Sequence, residues 1–370
     1  MEIDKGAKWV KFDYMRDFMR DVFIGLGTPR KEAAIVAEVL ITADKFGFDS
    51  HGVSRLKPIY YDRIKQGTQL PTTAFRIVKE TPASAVIDGG NGMGHVTAYR
   101  AMELAISKAR KYGIAMTAVR NSTHYGIAGY YPLMAVKAGM IGITGTNARP
   151  SLAPTFGVEN MLGTNPLTFG MPTDEKFPFL LDCATSITQR GKIEIYAKLG
   201  KKMPKGWVMD RDGRSKTDAR AVLADLSSGA AALVPLGGIG EELGGYKGYG
   251  YATVVEILSS ALQNGAYMKM LTGVKNGKKV PCPLGHFFIA INVSAFTGLR
   301  NFQRMAGSIL RELRASQKMP GAKRIFTAGE KEHLTWLARK DKGVPVNRET
   351  QKEVLIMREE LGLNKYKFPF

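Results

Sequence analysis

Three side chains in this sequence have the types and spacing for proton transfer and anion binding. His51 and Arg55 lie in FDSHGVSRL, residues 48–56. Four positions apart on a helix, they would share a face, setting a proton-transfer group beside a cation that can hold a carboxylate through two parallel hydrogen bonds. Asp49 or Ser50 would then cap the turn. The competing reading is a capped surface turn with a solvated arginine. His124 lies in RNSTHYG, between an expected strand, GIAMTAVR, and an expected helix, GIAGYYPLMAVKAG. Ligands of open α/β sheets gather beyond the carboxyl ends of strands, where helix amides point outward, so this histidine is well placed. A single histidine at a strand end is more often structural, and the residue alone leaves both readings open.

Other segments could hold a ligand without reacting. LLDCATS brings Asp182, Thr185 and Ser186 to the end of an apolar run, which suits hydrogen bonding to ribose or amide groups; helix capping is the alternative. Lys247 sits between glycines in GGYKGYG before a helical pattern, a setting for a phosphate or carboxylate partner or for a solvated loop lysine. Two glycine clusters, GGNGMGH at 89–95 and GGIGEELGG at 237–245, both miss the G-x-G-x-x-G spacing, so an ordinary Rossmann unit is not supported. No H-E-x-x-H, C-x-x-C or paired aspartate run suggests a metal, and G-x-S-x-G of a serine hydrolase is missing.

The elements that must position these groups fall into two textures. Residues 1–75 read as helices, WVKFDYMRDFMRDVFIGLG and PRKEAAIVAEVLITADKFG, then a helical stretch after FDSHGVSRL with Pro58 marking a kink or late start. From Phe75 short apolar strands alternate with helices: FRIVKET, SAVIDGG, GIAMTAVR, MIGITGTN, LTFGMP, FPFLLDCAT and HFFIAINV as strands, VTAYRAMELAISKARKYG and YATVVEILSSALQ as helices. Residues 300–370 return to polar-faced helices. The expected class is mixed α/β (α+β), with residues 76–299 binding cofactor and substrate and the two helical ends packing together.

Composition bounds the function. The chain has 370 residues, 44% hydrophobic and 23% charged, within the ordinary range for globular proteins. Its formal net charge of +20 suggests either a nucleic-acid surface or a field that collects anionic small molecules. The basic residues are scattered, without aromatic interleaving or nucleic-acid motifs, which favours the second. Two cysteines, Cys183 and Cys282, no apolar leader and no membrane-length apolar run give the expectation of a soluble, cytoplasmic protein with no membrane partner.

Taken in order, DSHGVSRL, RNSTHYGIAGYY, GTNP, LDCATS, PLGG, YKGYG, GHFFIAIN and GEKE resemble the malate/L-lactate dehydrogenase family with the non-Rossmann nicotinamide-binding fold, across roughly residues 10–350. LDCATSITQRGKIE and AGEKEHL look most like its malate dehydrogenase members; others act on lactate, sulfolactate, ureidoglycolate, diketogulonate or cyclic imines. The resemblance implies a non-Rossmann cofactor domain with a mixed sheet, NAD or NADP as cofactor, no metal, a small carboxylate substrate and a homodimer with its site near the subunit boundary. It implies that Ser50, His51, Arg55 and His124 form the catalytic set, with Arg55 on the substrate carboxylate. Family members differ in which histidine moves the proton, and the expectation here leans to His124. It places His124, Asp182, Ala184, Thr185, Ser186, Lys247, Gly329, Glu330 and Lys331 against the cofactor. Ala328 stands where many relatives have proline, so the loop before Gly329 departs from the pattern. The rival from another class is a basic binding protein that keeps this fold without catalysis.

Overall fold

The apolar runs between Arg76 and Asn292 fold into one seven-stranded sheet in the computed structural model, which describes residues 4–198 and 200–370. Across the sheet the strands run Arg76–Glu80, Ser84–Asp88, Ile114–Ser122, Leu284–Asn292, Met140–Thr146, Leu167–Met171 and Phe179–Cys183. One neighbouring pair, Ser84–Asp88 with Ile114–Ser122, is parallel, and its crossover is the helix Gly94–Tyr112. The other pairs are antiparallel.

The strand Leu284–Asn292 sits at the centre although it is the last of the seven in sequence. Its residues alternate between two covered faces. Phe288 and Ala290 join Met102, Ile106 and Tyr131 from the helices Gly94–Tyr112 and Tyr130–Lys137. Gly285, one pleat out of phase, lies against the Ser259 carbonyl of the helix Gly245–Ser260. Burial on both faces explains why HFFIAINV reads as a continuous apolar run.

The two ends of the chain meet. Lys8–Val10 pairs antiparallel with Val344–Val346, and the helices Phe12–Gly25 and Arg30–Phe46 share one core with Val344, Val354, Met357 and Tyr366. Phe18 stands edge-on to Tyr366 and Phe368, with ring centroids 5.2 and 5.0 Å away. The helix Leu299–Ala315 lies elsewhere, over the turn after Met171: Arg311 donates to Asp174 at 2.8 Å and Arg314 to Glu175 at 2.5 Å.

Two local features depart from the sequence expectation. FDSHGVSRL is not α-helical. Residues 49–52 form a turn, Val53–Arg55 a single 3-10 turn, and Leu56–Tyr61 a π-helical turn that enters the short α-helix Asp62–Lys65. Pro58 has no N–H to donate to an α ladder, which fits the wider turn at that point. The stretch 203–235, left unassigned above, forms a small unit in which Val208–Asp210 pairs with Ala231–Leu233 beside the helix Ala219–Ser228. Its start signal was present, since the Asp218 carboxylate accepts from the Arg220 and Ala221 amides.

No described helix is long and apolar enough to cross a membrane. Because Phe18 is fully buried between both chain ends, Phe18→Ala is expected to cost about 3–5 kcal/mol. Urea unfolding checks this, and a loss under about 1 kcal/mol would mean that the C-terminal aromatic segment does not dock on Phe18.

Candidate active site

The sheet's carboxyl-end loops and the turn at residues 48–55 line a cavity of about 120 Å³ that is open to solvent. Ser50, His51, His124, Asp182 and Ala184 line it, with apolar wall from Ile127, Pro166 and Leu284. The strand Ile114–Ser122 delivers His124, and the edge strand Phe179–Cys183 delivers Asp182. His51 comes from the irregular turn, which needs its own supports.

Those supports come from a helix far along the chain. Arg339, on the helix Glu330–Arg339, holds both carboxylate oxygens of Asp49, at 2.5 and 2.8 Å, and also donates to the Asp44 carbonyl at 2.8 Å. The buried Asp44 carboxylate accepts from the Val53 amide at 2.9 Å. Gly52 must pass close to that carboxylate: a Cβ there would lie 2.1 Å from Asp44 Oδ1. Within the turn, Arg55 Nε donates to the Ser50 carbonyl at 2.5 Å, so His51 and Arg55 are brought together by a fold-back, not by a shared helix face. One Arg55 nitrogen lies 3.7 Å from Glu194 Oε2, a loose pair.

The two histidines have parallel rings with centroids 5.9 Å apart, and their hydrogen bonds differ. His51 Nδ1 is 2.8 Å from Ser50 Oγ. A hydroxyl accepts from Nδ1–H or donates to a bare Nδ1, so this contact serves either tautomer of His51; with Nδ1 protonated, Nε2 is a free lone pair. His124 Nδ1 receives the Gly126 amide at 3.2 Å and lies 2.6 Å from the Tyr60 hydroxyl. An Nδ1 that accepts an N–H carries no proton, so neutral His124 presents Nε2–H. Burial, then the Arg55 charge, lowers His51 to about 4. Burial likewise holds His124 well below the usual imidazole value, followed by His51, His95, Arg63 and Arg55. Both rings are neutral at pH 7.

Behind them lie two more of the five histidines. His95 packs against Tyr60 with centroids 4.8 Å apart, and His286 stacks on Tyr125 at 4.5 Å. His286 Nδ1 is 2.7 Å from Thr146 Oγ1, which itself donates to the Gly285 carbonyl; Nδ1 is therefore the protonated nitrogen. Gly126, at φ 81°, completes the loop, and a Cβ there would lie 2.7 Å from Val39 and 3.1 Å from His95.

Asp182 has two tasks. Its Oδ2 accepts the Gly129 amide at 2.7 Å and Oδ1 faces Thr168 Oγ1 at 3.3 Å, which anchors the loop carrying His124. Burial raises its carboxyl to about 6. The cavity beside it mixes apolar lining, Ile127, Pro166 and Leu284, with polar lining, Thr146, Asn147 and Thr164, a combination that suits a ring bearing an amide, such as nicotinamide. Thr185 and Ser186 are buried with their hydroxyls turned to backbone carbonyls, Thr185 to Thr164 and Asn165 and Ser186 to Thr188. Ala184, between them and Asp182, is the member of that segment after Cys183 that lines the cavity.

The remaining expected cofactor contacts lie outside the cavity wall. Lys247 is exposed in the first turn of the helix Gly245–Ser260, where free amides and its ammonium suit a phosphate. Gly329 caps the helix Glu330–Arg339 at φ 90°, the Glu330 carboxylate receives Arg324 and the Thr327 amide, and Lys331 lies over the Phe326 ring. Among the described residues there is no metal-binding cluster of three or more His, Cys, Asp or Glu side chains. Sequence reasoning missed Tyr60, Asp44 and Arg339. Tyr60 reads as one more apolar position in LKPIYY, and the other two act across long sequence separations that no local pattern reveals.

Comparison with known proteins agrees with this architecture. The family model described as malate/L-lactate dehydrogenase matches residues 10–355. The malate dehydrogenase of Pyrococcus abyssi is 43% identical, over 98% of this chain and 97% of that protein. The L-sulfolactate dehydrogenase of Methanocaldococcus jannaschii is 39% identical, over 93% of this chain and 94% of that one. The crystal structure of malate dehydrogenase from Entamoeba histolytica superposes with a TM-score of 0.94 at 43% identity, covering 98% of this chain and all of that one. The chain belongs to the malate/L-lactate dehydrogenase family.

Proposed function

We propose that this protein is an NAD- or NADP-dependent oxidoreductase that interconverts a 2-hydroxy acid and its 2-oxo acid, with malate and oxaloacetate as the pair. The observation that carries this reading is the pair of facing, uncharged imidazoles beside a guanidinium, in a chain 43% identical to malate dehydrogenases over nearly its full length. Nicotinamide, when bound, supplies the hydride acceptor or donor at the substrate's C2. Asp182, Ala184 and the backbone around His124 would hold its ring, with Thr185 and Ser186 shaping that segment from behind. Lys247 and the Gly329, Glu330 and Lys331 turn would serve the outer parts of the dinucleotide.

The hydrogen bonds divide the work between the histidines. His51, in the tautomer whose Nδ1–H donates to Ser50 and whose Nε2 is bare, would be the base that takes the hydroxyl proton during oxidation. The Ser50 hydroxyl can then steady the imidazolium. His124, fixed as the Nε2–H form by Gly126 and Tyr60, donates a hydrogen bond to the substrate oxygen. This assignment differs from the expectation from sequence, which leaned to His124 as the proton carrier. Arg55 grips the C1 carboxylate and thereby sets which face of C2 meets the nicotinamide.

A homodimer fits the surface. Met305, Ile309 and Leu313 follow one another at four-residue spacing on the helix Leu299–Ala315 and are 65%, 58% and 53% exposed, a stripe that a second copy of the chain would cover.

Three outcomes follow. His51→Ala is expected to lower kcat for malate oxidation by about 10²–10⁴-fold, and His124→Gln, which keeps an N–H, to retain more activity than His124→Ala. Full kcat in His51→Ala would return the proton to His124. The imidazole resonances of His51 in the ligand-free protein should titrate near pH 4, because burial disfavours the cation and keeps the ring neutral at all higher pH. A midpoint near 6.5 would remove the case for a neutral resting base. Ile309→Asp should convert the dimer to monomer by sedimentation, while an unchanged mass would place the interface elsewhere.

A further inference from the structure

Behind the cavity wall one carboxylate is buried without a cation. Glu256, on the helix Gly245–Ser260, is 3% exposed, and among the described residues no lysine or arginine pairs with it. Its oxygens accept from two amides instead. Oε1 takes the Met268 backbone N–H at 2.8 Å, and Oε2 takes Asn165 Nδ2, also at 2.8 Å. Burial raises its carboxyl, and hydrogen bonds from Met268, Asn165 and Asn147 oppose that rise. A buried carboxylate with no counter-charge is costly, so these hydrogen bonds must supply the compensation.

Both residues that Glu256 holds have unusual backbones. Met268 has φ 43° and Asn165 φ 31°, in the left-handed region that non-glycine residues uncommonly enter. Thr164 and Pro166, on either side of Asn165, line the active-site cavity, and the Thr185 hydroxyl donates to the Thr164 and Asn165 carbonyls. Asn147, also in the lining, donates to the Ala266 carbonyl and accepts the Gly285 amide. Glu256 therefore stands where two turns of the molecule, one of them cavity wall, join a single helix. That helix carries Lys247 in its first turn, nine residues away, or about 14 Å along the axis.

We propose that Glu256 is a positioning residue for the dinucleotide, locking the cavity wall at residues 164–166 to the helix that presents Lys247 and so fixing the spacing between the two ends of the cofactor site. This rests on the oxidoreductase reading above and adds to it the group that sets the reach of the site. A ligand anchored at both ends depends on that spacing, because its second end binds as an intramolecular event. A ligand that fills one end does not. Loss of Glu256 is therefore felt by the whole dinucleotide and not by its phosphate-bearing half.

The test titrates the full-length protein, its Glu256→Ala and its Glu256→Gln by calorimetry with NADH, NADPH and ADP-ribose, or the 2′-phosphate of ADP-ribose where NADPH binds more tightly. In Glu256→Ala, Kd for the tighter dinucleotide is expected to rise by about 10–100-fold while that of the half-ligand changes by less than about threefold. Glu256→Gln, which keeps an acceptor for the Met268 amide, should show the same split to a smaller degree. In turnover with oxaloacetate, the loss should appear in the cofactor's KM, with the KM for oxaloacetate unchanged. Equal losses for the dinucleotide and its half, as a general loosening of the helix would give, or no loss at all, would overturn the proposal. Should Glu256→Ala fail to fold, Asn165→Ser cuts the same link from the wall side and must give the same split for the proposal to stand. If the unmodified protein binds neither dinucleotide, the oxidoreductase reading falls and takes the positioning role with it. If it binds one and the variants bind it equally well, the oxidoreductase reading stands and the positioning role alone falls.

Discussion

The candidate site depends on the grip of Arg339 on Asp49. The turn from residue 48 to 55 has no sheet neighbour and no α-helical ladder to fix it, yet it carries Ser50, His51 and Arg55. A bidentate guanidinium–carboxylate contact gives orientation as well as attraction, and the Arg339 side chain is 8% exposed, so water does little to weaken it. Asp49 keeps partial contact with water, 24% exposed, so removing it costs less than breaking a fully buried pair, while still leaving the Arg339 charge without its carboxylate. Asp44 backs the same turn from beneath through the Val53 amide. The angle at which His51 meets His124 is therefore set by groups that do not line the cavity.

The electrostatic design joins two opposed tendencies. The chain as a whole is strongly positive, which draws anionic substrate and cofactor inward and weakens with salt. At the centre, four imidazoles and two tyrosines, Tyr60 and Tyr125, are packed where a cation is poorly solvated, so the histidines stay neutral next to Arg55 and Arg63. A neutral imidazole can accept a proton as soon as an anionic substrate offsets the surrounding positive charge. Burial alone would give an inert core histidine, and arginines alone would give only an anion-binding patch.

Much of this was legible from local patterns. The strand and helix texture between Phe75 and Asn292 follows from apolar period and glycine stops, and Asp182, His51 and His124 reach the cavity from segments whose motifs stood out. What the local pattern misjudged was the turn at His51, where four-residue spacing suggested a helix face and Pro58 with the Asp44 contact imposed a fold-back. It was silent on contacts made across the chain, such as Tyr60 on His124, a buried apolar-looking residue whose hydroxyl fixes a tautomer. The protonation pattern of the histidines was beyond sequence for the same reason, since it depends on which donors arrive from elsewhere.

The central position of the strand Leu284–Asn292 also shapes how the molecule is made. Thr144 bonds to the Phe287 carbonyl across 143 positions, and the strands Ile114–Ser122 and Met140–Thr146 have no direct pairing until this strand enters between them. During synthesis, both must wait with open edges while the intervening segment emerges from the ribosome, a state prone to mispairing and slow to resolve. The same insertion that buries His286 behind the site leaves the sheet without its central strand until residue 292 has been made.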